Sequence, residues 1–397
     1  MRLRELTQLK RTKNSTSATV YKRYLFIGGD FYILNLLKYF LAKYPAEDIA
    51  LVHSRKIEKE NLMLLGPGLV RGRENISLWK KYFEDKFDNL GDVPTEVSAL
   101  FYKDQNFRSF DGRHRSQTLM PEEQFFLEKS LRGTSQSAEK YYVDSVSLEI
   151  MERLDLINEV LKKGQVLSIN RTCNSDFISP INFEVQLASG ELITCEHLFF
   201  AQAPYNYLEL YKNKNDLSNL AIEFCEKSKA KHAILVRFYL AKKLSDKLET
   251  LYIPLSVSNE LGHAVVEFSH GKGELVKNCL CEQYLDCYMS EDIEKADEES
   301  ISRNIRLLRK NLERVFPFFE KNILNEYIVL SEQVGCQGID DLLYWKAISD
   351  FKNICFVGEN APFERTEKKA EHLGDSRTQA SRLVRAVLCA EQIQQLF

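Results

Sequence analysis

Between Tyr24 and Val52 the chain lays down an apolar run, two glycines, a helical pattern and a second apolar run. Tyr24-Leu25-Phe26-Ile27 is short and continuous, as a buried strand is. Gly28-Gly29 follow. Ile33, Leu34, Leu36, Leu37, Phe40 and Leu41 then recur at helical spacing, and Pro45 ends the helix. Ile49-Ala50-Leu51-Val52 is the next strand. Strand, turn, helix and strand in about thirty residues make a βαβ unit, and the right-handed crossover makes its two strands parallel neighbours. A chain that opens this way is committed to an α/β layer.

The length of 397 residues leaves room for a second domain. Hydrophobic residues at 44% and charged residues at 28% mark a globular chain rather than a disordered one. The formal net charge of −3 argues against a dedicated nucleic-acid binder, which carries a basic face. No apolar run approaches the ~20 residues that span a bilayer. Residues 1–20 read as a flexible basic arm without the apolar core of a secretory signal, an anionic-surface contact being the alternative. Nine cysteines, an odd number, fit reduced thiols and a cytoplasmic location. Cys279, Cys281 and Cys287 lie close together but lack the paired spacing of a metal site, so no metal is expected.

Further along, Trp79–Phe87 and Val146–Lys162 have helical patterns, and Arg132–Lys140 is a polar loop. Leu65-Gly66-Pro67-Gly68 marks a turn, and Asp111-Gly112 centres an expected hairpin over 107–115. Gln165–Arg171 and Phe183–Leu187 alternate like strands, and Ser189-Gly190 predicts a hairpin over 183–195. His197–Ala201 is an apolar strand closed by Pro204. Ala233–Leu240 and Ala264–Phe268 predict a second sheet. Glu291–Val315 reads as a long charged helix, Asn353–Glu359 as a buried strand, and Thr378–Gln395 as the last helix.

The order of these pieces resembles the flavin-containing amine oxidoreductase superfamily, which holds the monoamine oxidase, protoporphyrinogen oxidase and phytoene desaturase-like enzymes. Phe199-Phe200-Ala201-Gln202-Ala203-Pro204 is similar to the strand-ending Ala-Thr-Pro-Pro segment of that family. Gly358-Glu359 matches its closing Gly-acid strand, and 374–382 resembles its last helix N-terminus. The resemblance implies an FAD/NAD(P)-binding Rossmann-like domain built from residues 21–84, 141–212 and 345–397. It also implies an inserted α+β substrate domain with a mixed sheet, from residues 85–140 and 213–344, roofing the isoalloxazine ring. FAD is the implied cofactor. Its implied contacts are Gly28, Gly29, Asp30, His53, Ser54, Arg55, Ala201, Pro204, Gly358, Glu359 and Thr378.

The glycine turn departs from G-x-G-x-x-G. There the first Gly allows the tight turn, the second lets backbone approach the pyrophosphate, and the third lets helix and strand pack closely. Gly28 stands at the first position, Asp30 at the second and Ile33 at the third. A carboxylate at 30 repels phosphate by about 4 kcal/mol at ~4 Å in a surface-like dielectric. As a helix N-cap it is worth ~1 kcal/mol. Ile33 is expected to push the helix off the strand. His53 holds the place of the acid that accepts from the ribose in the family; with Arg55 it alternatively suits a phosphate-bearing ribose.

No catalytic dyad stands out, which agrees with chemistry carried by a flavin. Lys346 reads as an exposed helix residue. Tyr344 and Trp345 read as core or as pocket lining. Arg108, Arg113, His114 and Arg115 form a basic hairpin tip or an anion-receiving cluster. His263 and His270 have no metal spacing. Two functions remain open: an FAD-dependent amine oxidase-like oxidoreductase acting on a small molecule, or a flavin-less protein of the same fold that binds or scaffolds a protein partner.

Overall fold

The computed structural model describes residues 19–29, 31–57, 69–71, 100–109, 140–142, 153–172, 182–229, 232–247, 251–255, 263–268, 282–291, 297–331, 341–358, 361–362, 393–394 and 396–397. Strand β1 (Thr19–Ile27) passes through the glycine turn into helix α1 (Phe31–Lys43), and a short turn leads to β2 (Ile49–His53). Short strands β3 (Leu69–Arg71), β4 (Leu100–Lys103), β5 (Asn106–Ser109) and β6 (Lys140–Tyr142) come next. Helix α2 (Leu154–Glu159) precedes β7 (Leu161–Lys163), β8 (Val166–Thr172), β9 (Asn182–Leu187) and β10 (Leu192–Phe200). Helices α3 (Pro204–Leu210) and α4 (Asn219–Lys227) follow, the first with proline in its opening turn, where a missing N–H costs nothing.

The first sheet runs β7-β2-β1-β10-β9-β8. β1 lies parallel to both β2 and β10, with Ile27 opposite Val52 and Phe200. β10 serves two partners on its far side. Its Leu192–Cys195 half pairs antiparallel with β9, and Leu198–Phe200 pairs parallel with β16 (Ile354–Phe356) once that strand arrives. Helix α1 buries Ile33, Leu34, Leu36, Leu37 and Phe40 completely. Phe26 stacks on Phe199 at 4.5 Å between ring centroids, and Phe40 meets both edge-on. Such pairs add about 0.5–1.5 kcal/mol each beyond area burial.

The second sheet takes β11 (His232–Leu240), β12 (Leu251–Pro254), β13 (His263–Phe268), β14 (Gln283–Glu291) and β15 (Ile323–Ser331), with order β15-β11-β14-β13-β12-β4-β5. Helix α5 (Glu298–Val315) covers one face, burying Ile305, Leu308 and Leu312 against Val236, Phe238, Val266 and Leu285. Asp297 caps it: its carboxylate accepts from the Ser300 N–H, and the Ser300 hydroxyl accepts in return from the Asp297 N–H. The opposite face carries a buried ion pair. Arg237 Nε and Nη2 donate to the two Asp286 oxygens at 2.6 and 2.7 Å, and the guanidinium lies over the Tyr284 ring. Short α6 (Phe319–Asn322) and α7 (Asp341–Lys346) complete the helices.

Several sequence expectations are corrected. β4 and β5 form a hairpin that the sequence did not announce, turning at Asp104-Gln105, both left-handed, while the hairpin expected at Asp111-Gly112 lies outside the described residues. The helix expected over 146–162 is confined to Leu154–Glu159 within the described residues, and Leu161–Lys163 is an edge strand beside β2. The helix expected from Glu291 begins at Glu298, because Gln283–Glu291 is a strand paired along β11. The closing strand covers Ile354–Phe356 only. Leu217, Ala221, Phe224, Leu343 and Tyr344, which the sequence places in the inserted domain, belong to the first sheet's core. The expected turn at 65–68, the helix at 79–87 and most of the last helix lie outside the described residues.

Candidate functional site

The carboxyl ends of β1, β2, β10 and β16 meet at one edge of the first sheet, where open α/β sheets place their ligands. The register brings them there: Gly28 N donates to Val52 O at 3.1 Å, Ala201 N to Ile27 O at 2.9 Å and Val357 N to Phe200 O at 2.9 Å. Gly28 has φ +127°, a conformation that side chains resist, and a Cβ built on it falls 2.7 Å from the Ala201 Cβ. Glycine and alanine are thus required together for β1 to leave the sheet beside β10. Gly358, also left-handed at φ +98°, ends the β16 side and accepts from Ala361 N.

Gly29 has a different reason to be glycine. A Cβ there would lie 2.5 Å from His53 Cδ2 and 2.6 Å from His53 Nε2. The imidazole at the end of β2 is folded across the turn and rests on the bare Cα. Its Nδ1 is 2.9 Å from Arg55 O and 3.3 Å from Arg55 N, so backbone two residues on fixes the ring. The β2 end is further held by Gly164 N donating to His53 O at 3.0 Å. Ser54 and Arg55 are exposed, and Pro204 is buried at the start of α3. Asp30, Glu359 and Thr378 lie outside the described residues.

The turn departs from the usual dinucleotide-binding arrangement at two described positions. The His53 ring lies over Gly29, the variable residue between the first and second glycine positions of the turn. Ile33, at the position of the third glycine, is fully buried, so a branched side chain occupies the space that glycine leaves for close helix–strand packing. The sequence marked His53 as a substitute for a ribose contact; its packing on Gly29 was not visible there.

The other candidates separate. Tyr344 packs in the core, stacked on Phe351 at 5.4 Å, while Trp345 and Lys346 are exposed. Arg108 is exposed and pairs with Asp104 at 3.0 Å; Arg113, His114 and Arg115 are outside the described residues. Cys195, Cys225 and Cys287 are buried free thiols, and burial pushes Cys225 up to about 12, far from a reactive thiolate. Among the described residues no group of three or more His, Cys, Asp or Glu side chains is placed to hold a metal, and no helix is long and apolar enough to cross a membrane.

No family model and no curated protein matches the chain. Solved structures do. An oxidoreductase from Methanosarcina mazei aligns with a TM-score of 0.56 at 9% identity, covering 94% of this chain and 100% of that one. Reduced UDP-galactopyranose mutase aligns at 0.54 and 12% identity, covering 95% and 96%. Putrescine oxidase bound to putrescine aligns at 0.51 and 10% identity, covering 95% and 100%. The chain therefore has a flavin amine oxidase-like fold, mixed α/β with parallel and antiparallel sheets.

Proposed function

We propose that this chain is a flavin-less member of that fold, which acts by binding a partner rather than by redox chemistry. The observation that carries the reading is the His53 imidazole folded over Gly29, next to the position through which the backbone of such a turn meets a pyrophosphate. Ile33 in the core and Asp30 in the second glycine position point the same way. Function follows the site and not the fold, and the edge built from Gly28, Gly29, His53 and Ala201 no longer presents bare backbone to an anion. The partner is a protein or small molecule approaching the carboxyl edge of the first sheet.

The second reading, an FAD-dependent amine oxidase-like oxidoreductase of the cytoplasm, is favoured by the tight turn kept at Gly28 over Ala201. Purified protein separates the two. The flavin-less reading expects a colourless protein whose melting temperature ignores added FAD. A flavin absorbance band, or stabilisation approaching the roughly 2.7 kcal/mol given by a ligand at 100-fold excess over its Kd, would overturn it.

A further inference from the structure

The residues that follow His53 are gripped at both ends by one neighbouring stretch of chain. The end of α2 and strand β7 run beside β2: Leu51 N donates to Val160 O at 3.0 Å, and His53 pairs in register with Lys163. Where β2 ends, Gly164 N donates to His53 O at 3.0 Å. Four residues on, Asn158 takes hold of Ile57. Its side-chain oxygen accepts from Ile57 N at 3.2 Å, and its Nδ2 donates to Ile57 O at 3.0 Å and to Leu154 O at 2.9 Å. The opposite amide flip would set donor against donor and acceptor against acceptor, so the orientation is fixed by its partners. Ile57 itself is 2% exposed, and a buried backbone N–H and C=O need such a partner.

Only Ser54, Arg55 and Lys56 lie between the two anchors. All three are exposed, so packing of their own side chains does not set their path. Three residues tied at both ends have little room to shift. The middle one, Arg55, supplies the backbone oxygen at 2.9 Å and the backbone nitrogen at 3.3 Å from His53 Nδ1. The far side of the same ring lies over Gly29. Contacts thus run unbroken from Asn158 through Ile57 and Arg55 to the imidazole and the glycine turn.

We propose that Asn158 is the positioning residue that keeps the His53 imidazole over Gly29. It acts through the Ile57 backbone, which holds Arg55 where the ring needs it. The inference rests on the reading of His53 as the group that takes a ligand's place at the turn.

The test uses the full chain. Gly29→Ala is expected to lower the urea midpoint in the wild-type background and to lower it less in Asn158→Leu, because a freed imidazole yields to the new Cβ. Gly28→Ala, whose Cβ meets Ala201 instead, is expected to give the same shift in both backgrounds. An Asn158 that merely stabilises α2 would leave both shifts unchanged. Long-range proton–nitrogen NMR gives a second readout. The His53 ring, assigned by its loss in His53→Ala, is expected to show one fixed tautomer in wild type and averaged nitrogen shifts in Asn158→Leu. Asn158→Asp keeps the bond from Ile57 N and loses the two donated ones, and it replaces the leucine variant if that one does not fold. Equal Gly29→Ala shifts with and without Asn158, or a His53 spectrum that the variant leaves unchanged, would overturn the proposal. If Gly29 still couples to His53 in that case, the reading of the turn survives; if it does not, both fall.

Discussion

Replacing Gly28 and Gly29 by alanine, one at a time, separates two kinds of glycine that look alike in sequence. At Gly28 the new Cβ meets the Ala201 Cβ at 2.7 Å, on a strand packed between two neighbours, and φ is +127°. Holding alanine in a sparsely populated backbone region costs about 1–3 kcal/mol. Overpacking a rigid site costs about 1–3 kcal/mol more. Gly28→Ala should therefore lose about 2–6 kcal/mol, a large share of a typical stability of about 5–15 kcal/mol. At Gly29 the obstacle is the half-buried His53 ring, at 2.5 Å. That ring can swing out, giving up its contact with the Arg55 backbone, for about 1 kcal/mol. In a His53→Ala background Gly29→Ala should cost almost nothing, whereas Gly28→Ala should cost as much as before. Urea denaturation of the single and double variants, followed by circular dichroism, measures this coupling. If Gly29→Ala costs the same with and without His53, the imidazole does not sit on the turn and the argument against a pyrophosphate there collapses.

Other expectations are as direct. Asp286→Ala takes the carboxylate from the buried Arg237 and should cost about 3–5 kcal/mol in urea unfolding, while the double change Arg237→Met with Asp286→Leu should cost less than the single one. Burial holds the His197 imidazole below its ordinary 6.5, with Glu196 pulling it up and Arg23 down. The unfolded chain therefore binds the proton more readily. The stability from neutral His197 is full above 6.5 and is lost as pH falls through 6.5 toward the lowered folded value. Comparing urea midpoints on the neutral and acid sides of that value, His197→Phe should show a smaller drop than wild type; equal drops would refute the assignment.

The βαβ opening and the β9–β10 hairpin were legible because apolar periodicity and turn residues agree there. What misled the reading was charge inside structure. Glu291 reads in sequence as the start of a charged helix, whereas it ends the strand Gln283–Glu291, whose Asp286 pairs with Arg237 across the sheet. Leu161–Lys163 is a strand with two lysines, possible because it lies at an edge. The Asp104-Gln105 turn takes left-handed backbone without glycine, so no turn signal marked it in the sequence. The candidate site was legible in its place, at the ends of β1 and β2. Its occupancy was not, because whether a glycine serves a ligand or a neighbouring side chain depends on a contact across the sheet.

The position of β10 bears on how the chain is made. Ile27 and Phe200 are neighbours in the sheet although synthesis separates them by about 170 residues, roughly 9–35 s of ribosomal elongation. Throughout that interval the apolar end of β1 has β2 on one side and no β10 on the other. The far flank of β10 at Leu198–Phe200 must then wait for Ile354–Phe356. The nascent chain thus carries an unfinished hydrophobic edge through most of its own translation, and its yield should depend on chaperone supply and elongation rate as much as on its final stability.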